Sequence, residues 1–391
     1  MRIDTRLSER IKKIHPSPTL SITSKAKKLA GDGKDVVSFA AGEPDFDTPD
    51  VVKKAACEAI ASGFTKYTPT TGIPELKQAV CEKFKRDNGL VYAPHQIVVS
   101  CGAKHSIFNA LFALLDPGEE VIIPSPYWVS YPEMVHLCGG VPRIVKTGAD
   151  SAFKITPDDL KTNITPKTRA LILNSPSNPT GCVYNKKELA DIAHICVSRK
   201  IFCISDEIYE KIIFDGNNHE SIAGLDKDIY DLTITVNGLS KSHSMTGWRI
   251  GYLGAPSDVA QAISNLQDHT TSNPASISQK AAVAALAMPG TFSENMCSEF
   301  RKRRDYIVAR LAKMPRIAAV TPGGAFYIFC DISKTKLDSM SFAAKFLDEQ
   351  LVAVIPGIAF GDDRYVRMSY ATGMARIEKG MDRLEQFLNT I

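Results

Sequence analysis

The stretch Leu232-Thr233-Ile234-Thr235-Val236-Asn237-Gly238-Leu239-Ser240-Lys241 carries fold information in its first half and chemistry in its second. The apolar, β-branched opening is that of a buried strand. A lysine just past such a strand falls where open α/β sheets bind ligands, outside the carboxyl ends of the strands. In a partly desolvated crevice a lysine releases its proton more readily and becomes a nucleophile toward a carbonyl. Eight residues on, Trp248-Arg249-Ile250-Gly251 adds an arginine whose planar fork suits an anion such as phosphate. A surface lysine and a salt-bridging arginine would read the same way in isolation, so the surrounding chain decides.

Working outward, apolar runs alternate with helical segments from Ile97 onward. Strand candidates are Ile97–Ser100, Val121–Pro124, Arg143–Lys146, Ala170–Asn174, Ile201–Ser205, Leu232–Val236 and Ile250–Leu253. Near-continuous apolar strands separated by helices imply a mostly parallel sheet covered on both faces. Lys104–Leu115 places Ile107, Phe108, Leu111, Phe112, Leu114 and Leu115 on one stripe, and Asp116-Pro117-Gly118 ends that helix. Past about residue 280 the character changes. Helices Gln279–Ala287 and Ser293–Lys313, strand Gly323–Phe329, helix Ser341–Gln350, strands Val352–Ile355 and Tyr365–Ser369, and helix Ala375–Leu388 describe a smaller α+β unit. At the other end, Leu7–Ile14 and Ser24–Ala30 read as short helices and Val36–Phe39 as a strand.

The chain has 391 residues and a net charge of +4, scattered without a Lys/Arg tract, which argues against nucleic acid and anionic membranes as partners. Nine cysteines with no Cys-x-x-Cys pair read as reduced thiols. Eight dispersed histidines give no metal-ligand pattern, so no metal is expected. The N-terminus, with Asp4 and Glu9 among its basic residues, is not a secretory signal, and no stretch approaches membrane-spanning length. A cytoplasmic protein is the expectation.

Two features bear on the nucleophile's partner. Strand Ile201–Ser205 delivers Asp206 and, three residues later, Tyr209. A carboxylate at the end of a buried strand is costly unless a cation pairs with it. It is either a helix N-cap or the partner of a protonated ring nitrogen. A lysine that bonds to a carbonyl, an arginine that holds phosphate and a carboxylate that keeps a ring protonated are together the requirement of pyridoxal-phosphate chemistry. The turn Ser100-Cys101-Gly102-Ala103-Lys104 joins a strand to a helix, and backbone N–H groups at a helix N-terminus hold phosphate well.

The run from Gly238 to Gly251 resembles the lysine signature of the class I pyridoxal-phosphate aminotransferases. Ser-Pro-Tyr-Trp (125–128), Asn174-Ser175-Pro176-Ser177-Asn178-Pro179-Thr180-Gly181, Ala-Gly-Glu-Pro-Asp-Phe (41–46) and Val366-Arg367-Met368-Ser369 resemble further motifs of that family, in the same order over nearly the whole chain. The branch they are most similar to is the subgroup Ib bacterial aspartate aminotransferases, some of which also aminate prephenate. The resemblance implies fold type I: a seven-stranded, mostly parallel sheet in a large domain (45–289) and a smaller α+β domain (1–44 and 290–391). It implies pyridoxal 5'-phosphate as cofactor, with Lys241, Asp206 and Tyr209 catalytic. It places the phosphate on Gly102, Ala103, Lys104 and Arg249, a ring-stacking aromatic at Trp128, and Asn178 against the cofactor's phenolic oxygen and the substrate. Arg367 and Gly42 take the substrate carboxylate. Lys104 is either a distal-carboxylate cation or a solvated first-turn lysine, and Thr19 is the accompanying prephenate-type position. Tyr67 matches a tyrosine that reaches the neighbouring subunit's cofactor, which implies a homodimer. One departure stands out: relatives often carry a phosphate-binding serine where this chain has Gly238, which leaves Ser240 as a candidate hydroxyl. The implied reaction moves an amino group between L-aspartate and 2-oxoglutarate, with oxaloacetate and L-glutamate as products. An aminotransferase of aromatic or other amino acids, or a lyase on the same fold, is the alternative.

Overall fold

Strand β1 (Val37–Ser38) stands outside the main sheet, which is built from β2 (Ile97–Ser100), β3 (Glu120–Ser125), β4 (Val141–Lys146), β5 (Thr168–Asn174), β6 (Phe202–Asp206), β7 (Thr233–Gly238) and β8 (Gly251–Gly254). Their order across the sheet is β2-β8-β7-β6-β5-β3-β4. The computed structural model describes the backbone of residues 6–12, 14 and 18–391, and the side chains of all of these except 9, 10 and 18–21.

Every strand in the sheet runs parallel to its neighbours except β8, which is antiparallel to both β2 and β7. Parallel neighbours need a long crossover, usually helical. The segment 239–250 makes no such crossover and turns the chain straight back. It therefore holds Lys241 and Arg249 together at the carboxyl edge of the sheet, beside the ends of β5 and β6.

The helices preceding and following β2 are α1 (Glu9–Lys12), α2 (Pro18–Gly31), α3 (Asp50–Ala61), α4 (Pro74–Asn88) and α5 (Ala103–Leu114). Helix α2 begins six residues before the expected Ser24, with Pro18 at its first position, where the fixed φ of proline suits a helix start. In α5 the fully buried Ile107, Ala110 and Leu111 pack with Val98, Val236 and Leu253 against the sheet. At about 25 cal/mol per Å² of apolar surface, each of the valine, leucine and isoleucine side chains among them contributes roughly 1.5–3 kcal/mol.

A second sheet combines β9 (Ala318–Ala319), β10 (Tyr327–Asp331), β12 (Ile355–Pro356) and β13 (Tyr365–Ser369) in the order β12-β13-β10-β9, while β11 (Val352–Ala353) pairs in parallel with β1. The single strand expected over Val352–Ile355 is thus two, because residues 352–353 pair with β1 and 355–356 pair with β13. The expected strand Gly323–Phe329 starts only at Tyr327. Ala325 sits at φ 56°, which no extended strand accommodates. The β1–β11 pair ties the segment before residue 40 to the C-terminal core, where Phe39, Phe346 and Phe387 are buried together.

Candidate active site

A cavity of about 600 Å³ opens at the carboxyl edge of the main sheet, with Gly42, Lys104, Trp128, Asp206, Lys241 and Arg367 among its lining residues. Helix α2 forms its far wall through Ala26 and Ala30. Lys241 enters from the connection after β7, and its Nζ donates to the Gly42 carbonyl at 2.5 Å. The rings of Tyr209 and Phe326 lie 5.9 and 5.8 Å from that nitrogen. Burial pushes the ammonium down to about 8; the positive charges of Arg367 and Arg249 act the same way, and Glu43 and Asp206 oppose them.

Asp206 ends β6 and is 4 % exposed. Its Oδ2 accepts the Tyr131 hydroxyl at 2.6 Å, and its Oδ1 accepts the Ile208 N–H at 3.3 Å. Burial raises the carboxyl to about 6 despite those two donors. No cation touches it among the described residues. Tyr209, in the turn that follows, shares a 2.9 Å hydrogen bond with Tyr327.

The turn between β2 and α5 supplies a cradle made of backbone. Gly102 has φ 91°, and a Cβ there would stand 2.4 Å from Arg249 Nη2. Its own N–H is already used, donating to the Ser100 carbonyl at 2.7 Å. Gly102 therefore contributes shape, while Ala103 and Lys104 begin the helix with N–H groups that point out of its end. Arg249 donates through Nη1 to the Thr246 carbonyl at 2.8 Å and through Nη2 to the Cys101 carbonyl at 3.3 Å. Gly251 opens β8 directly beneath: a Cβ there would meet Ala103 N at 2.1 Å.

On the opposite side, Arg367 of β13 is 5 % exposed. Its Nη1 donates to Asn178 Oδ1 at 3.0 Å and its Nη2 to the Ala40 carbonyl at 3.1 Å, which leaves Nε without a partner. The guanidinium lies 4.3 Å over the Tyr327 ring. Asn178 is held by its N–H donating to Asn174 Oδ1 at 2.9 Å. Trp128 packs edge-on to Tyr131 at 5.3 Å, and Lys104 Nζ lies 4.9 Å over the Trp128 ring. Burial and the neighbouring Arg249 both lower the pKa of Lys104.

Ser240 also lines this cavity. Gly238 ends β7, where a Cβ would stand 3.1 Å from the Ile250 carbonyl and 3.2 Å from Gly251 Cα. Close backbone approach makes any side chain at this position a tight fit. Tyr67 is 92 % exposed and away from the cavity of its own chain. The Thr19 side chain lies outside the described residues.

Sequence reasoning missed Tyr131, Tyr327 and Asn174. Tyr131 had a signal, since it follows Trp128 by three residues, close to one helical turn. It missed as well a buried network behind the site, where Glu207, Glu210 and His219 converge. Their oxygens are occupied by Lys83, Asn88, Ser205 and Ser221, a set that favours charge balance over metal binding.

A family model described as aminotransferase class I and II matches residues 34–384. The chain belongs to this family. The aspartate aminotransferase of Bacillus sp. strain YM-2 is 48 % identical over 387 residues, covering 98 % of this chain and 99 % of the relative. The aspartate/prephenate aminotransferase of Cereibacter sphaeroides is 45 % identical, covering 97 % and 98 %. The solved aspartate aminotransferase of Thermus thermophilus with maleate superposes with a TM-score of 0.94 at 42 % identity, covering 98 % of this chain and 100 % of that one. The chain is a transaminase of this fold, acts on amino acids and 2-oxoacids, and uses pyridoxal 5'-phosphate. The residues present fit that cofactor: Asp206 is a buried carboxylate without a contacting cation, and Gly102 leaves a cradle that a Cβ would fill. Among the described residues no helix is long and apolar enough to cross a membrane.

Proposed function

We propose that this aminotransferase exchanges the amino group between L-aspartate and 2-oxoglutarate, with oxaloacetate and L-glutamate as products, in two half-reactions. The observation that carries the substrate reading is a pair of cations on one cavity, Arg367 from β13 and Lys104 from α5. A substrate with a carboxylate at each end matches that pair. The names of the relatives, and the maleate in the Thermus enzyme, point to the same class of diacid.

Arg367 would bind and orient the α-carboxylate, with Asn178 fixing the guanidinium plane. Bound pyridoxal phosphate supplies a carbonyl carbon and an electron-withdrawing ring. Asp206 holds the proton on the ring nitrogen, and Tyr131 holds Asp206. Tyr209 would donate to the cofactor's phenolic oxygen, and Trp128 would shield the ring from water. Lys241, with its pKa lowered, would take the proton from the substrate's Cα and pass it to the carbon the cofactor contributes as its carbonyl, the shift that makes an oxoacid of an amino acid. Ala103, Lys104 and Arg249 would bind the phosphate, with Ser240 beside them, and Gly42 would contribute its backbone to the substrate carboxylate.

A second acceptor, prephenate, belongs to the same reading. The Cereibacter relative carries that name. We further propose a homodimer in which the exposed Tyr67 completes the partner's phosphate site. The large domain spans 45–289, and the small one 1–44 with 290–391. A cytoplasmic location agrees with nine free thiols, as a reducing compartment keeps them.

A donor–acceptor panel on the purified enzyme tests the reading. The expected result is aspartate with 2-oxoglutarate as the fastest pair, and Lys104→Met raising KM for aspartate at least about ten-fold while sparing apolar donors. Equal rates with apolar donors, or ammonia as product, would overturn it.

A further inference from the structure

Helix α5 starts without a side-chain cap, because its N-cap residue is Gly102. The cap is supplied from the other side. The Cys101 N–H donates to His105 Nδ1 at 3.2 Å, a bond that reaches back from the first turn of the helix into the turn before it. Each remaining group of the turn can be accounted for. The Gly102 N–H goes to the Ser100 carbonyl, the Cys101 carbonyl takes Arg249 Nη2, and the Gly102 carbonyl takes the N–H groups of His105 at 2.9 Å and Ser106 at 3.2 Å. Only the N–H groups of Ala103 and Lys104 find no acceptor among the described residues.

We infer that His105 is a positioning residue for the cofactor's phosphate: by accepting the Cys101 N–H it fixes the turn so that the Ala103 and Lys104 N–H groups and Arg249 converge on one anion. The inference rests on the phosphate reading proposed above for this turn. An aspartate or glutamate acceptor would bring a negative charge next to the phosphate, and a cation offers no lone pair. A neutral imidazole accepts without adding charge. With Nδ1 accepting, the ring proton sits on Nε2. Burial lowers the pKa of His105, which keeps the ring neutral.

The test compares two cofactor forms on the full-length apoenzyme: pyridoxal 5'-phosphate, and pyridoxal, which lacks the phosphate. His105→Leu is expected to weaken binding of the phosphorylated form by about five- to ten-fold and leave pyridoxal unchanged. His105→Gln, whose amide oxygen can accept the same N–H, is expected to recover most of that loss. A loss equal for both forms, or no loss, overturns the role of His105. Wild-type enzyme that binds both forms equally well overturns the phosphate reading instead. If His105→Leu does not fold, nitrogen NMR of histidine-labelled wild type decides, with the His105 signals assigned by their disappearance in His105→Gln. The Nε2-protonated neutral form is expected at pH 7.5, and an Nδ1-protonated or cationic ring excludes the role.

Discussion

Tyr131 donates its hydroxyl to Asp206 across 75 residues of sequence, at 2.6 Å and wholly out of solvent. The bond favours the ionised carboxylate, partly offsetting the burial that raises it. Without it Asp206 becomes more basic and draws the proton away from the ring nitrogen it serves. Tyr131→Phe is therefore expected to lower kcat by about ten-fold while changing KM little. Steady-state kinetics with saturating cofactor check this, and an unchanged kcat would count against the coupling.

Asp206 also makes the cofactor-free protein pH-sensitive. Its folded pKa, near 6, lies above the ~3.9 of an unfolded aspartate, so the folded state binds more protons between those values. The stability from this group is fully present below about pH 4 and is lost as pH rises through 6. Asp206→Asn removes the buried charge. Apoenzyme carrying it is expected to be more stable than wild type at pH 7.5, by at most about 3 kcal/mol, with no gain at pH 4. The loaded variant should be nearly inactive. Denaturant melts at the two pH values measure the difference.

Lys241 has its ammonium pushed down to about 8, so its neutral fraction rises steeply through that pH. Reconstitution of apoenzyme with pyridoxal phosphate, followed by visible absorbance, should accelerate with pH and level off above about 8. Lys241→Ala should lose that absorbance change together with nearly all transamination. A rate flat from pH 6 to 9 would remove the lysine from the step.

The close approach of Gly251 to the phosphate turn leaves no room for a methyl group. Gly251→Ala is expected to cost about 1–3 kcal/mol of stability and to weaken cofactor binding. Gly238→Ser, which would restore the hydroxyl of other branches, has backbone atoms at 3.1 and 3.2 Å in its way. It should therefore lower cofactor affinity rather than raise it. Equilibrium titration of each apoenzyme with pyridoxal phosphate provides the measurement.

Mixed subunits test the proposed sharing of sites. In a hybrid of Lys241→Ala with Tyr67→Phe, one site regains both native residues and the other loses both. Unfolding and refolding the two variants together should give roughly a quarter of wild-type activity beyond what the Tyr67→Phe enzyme alone supplies. Strictly additive activities would refute shared sites.

Much of this was legible in the sequence because it is local. Lys241 and Arg249 lie eight residues apart on one connection, Asp206 ends a buried strand, and Asn178 lies in the turn after another. The seven strands of the main sheet likewise announced themselves through continuous apolar runs. What escaped is set by distant partners. Nothing near Tyr131 reveals that it meets Asp206, and nothing near Tyr327 reveals Tyr209. The reversed direction of β8 depends on the absence of a crossover helix, and the division of Val352–Pro356 depends on which strands lie alongside. Gly238 reads as a missing hydroxyl in the sequence, and how tightly the neighbouring backbone crowds it shows only in the fold.

Gly238, Gly251 and Gly102 form a seam in which main chain rests on main chain from β7 through β8 to the phosphate turn. Such a seam leaves little to adjust, since an added atom is crowded by main chain at Gly238 and Gly251 and by the Arg249 guanidinium at Gly102. In this chain, changes that tune cofactor affinity fall most readily at its margin, at residues such as Ala103, Lys104 and His105 whose side chains have somewhere to go. The innermost part of the pocket is frozen by contact, and adaptation is confined to its rim.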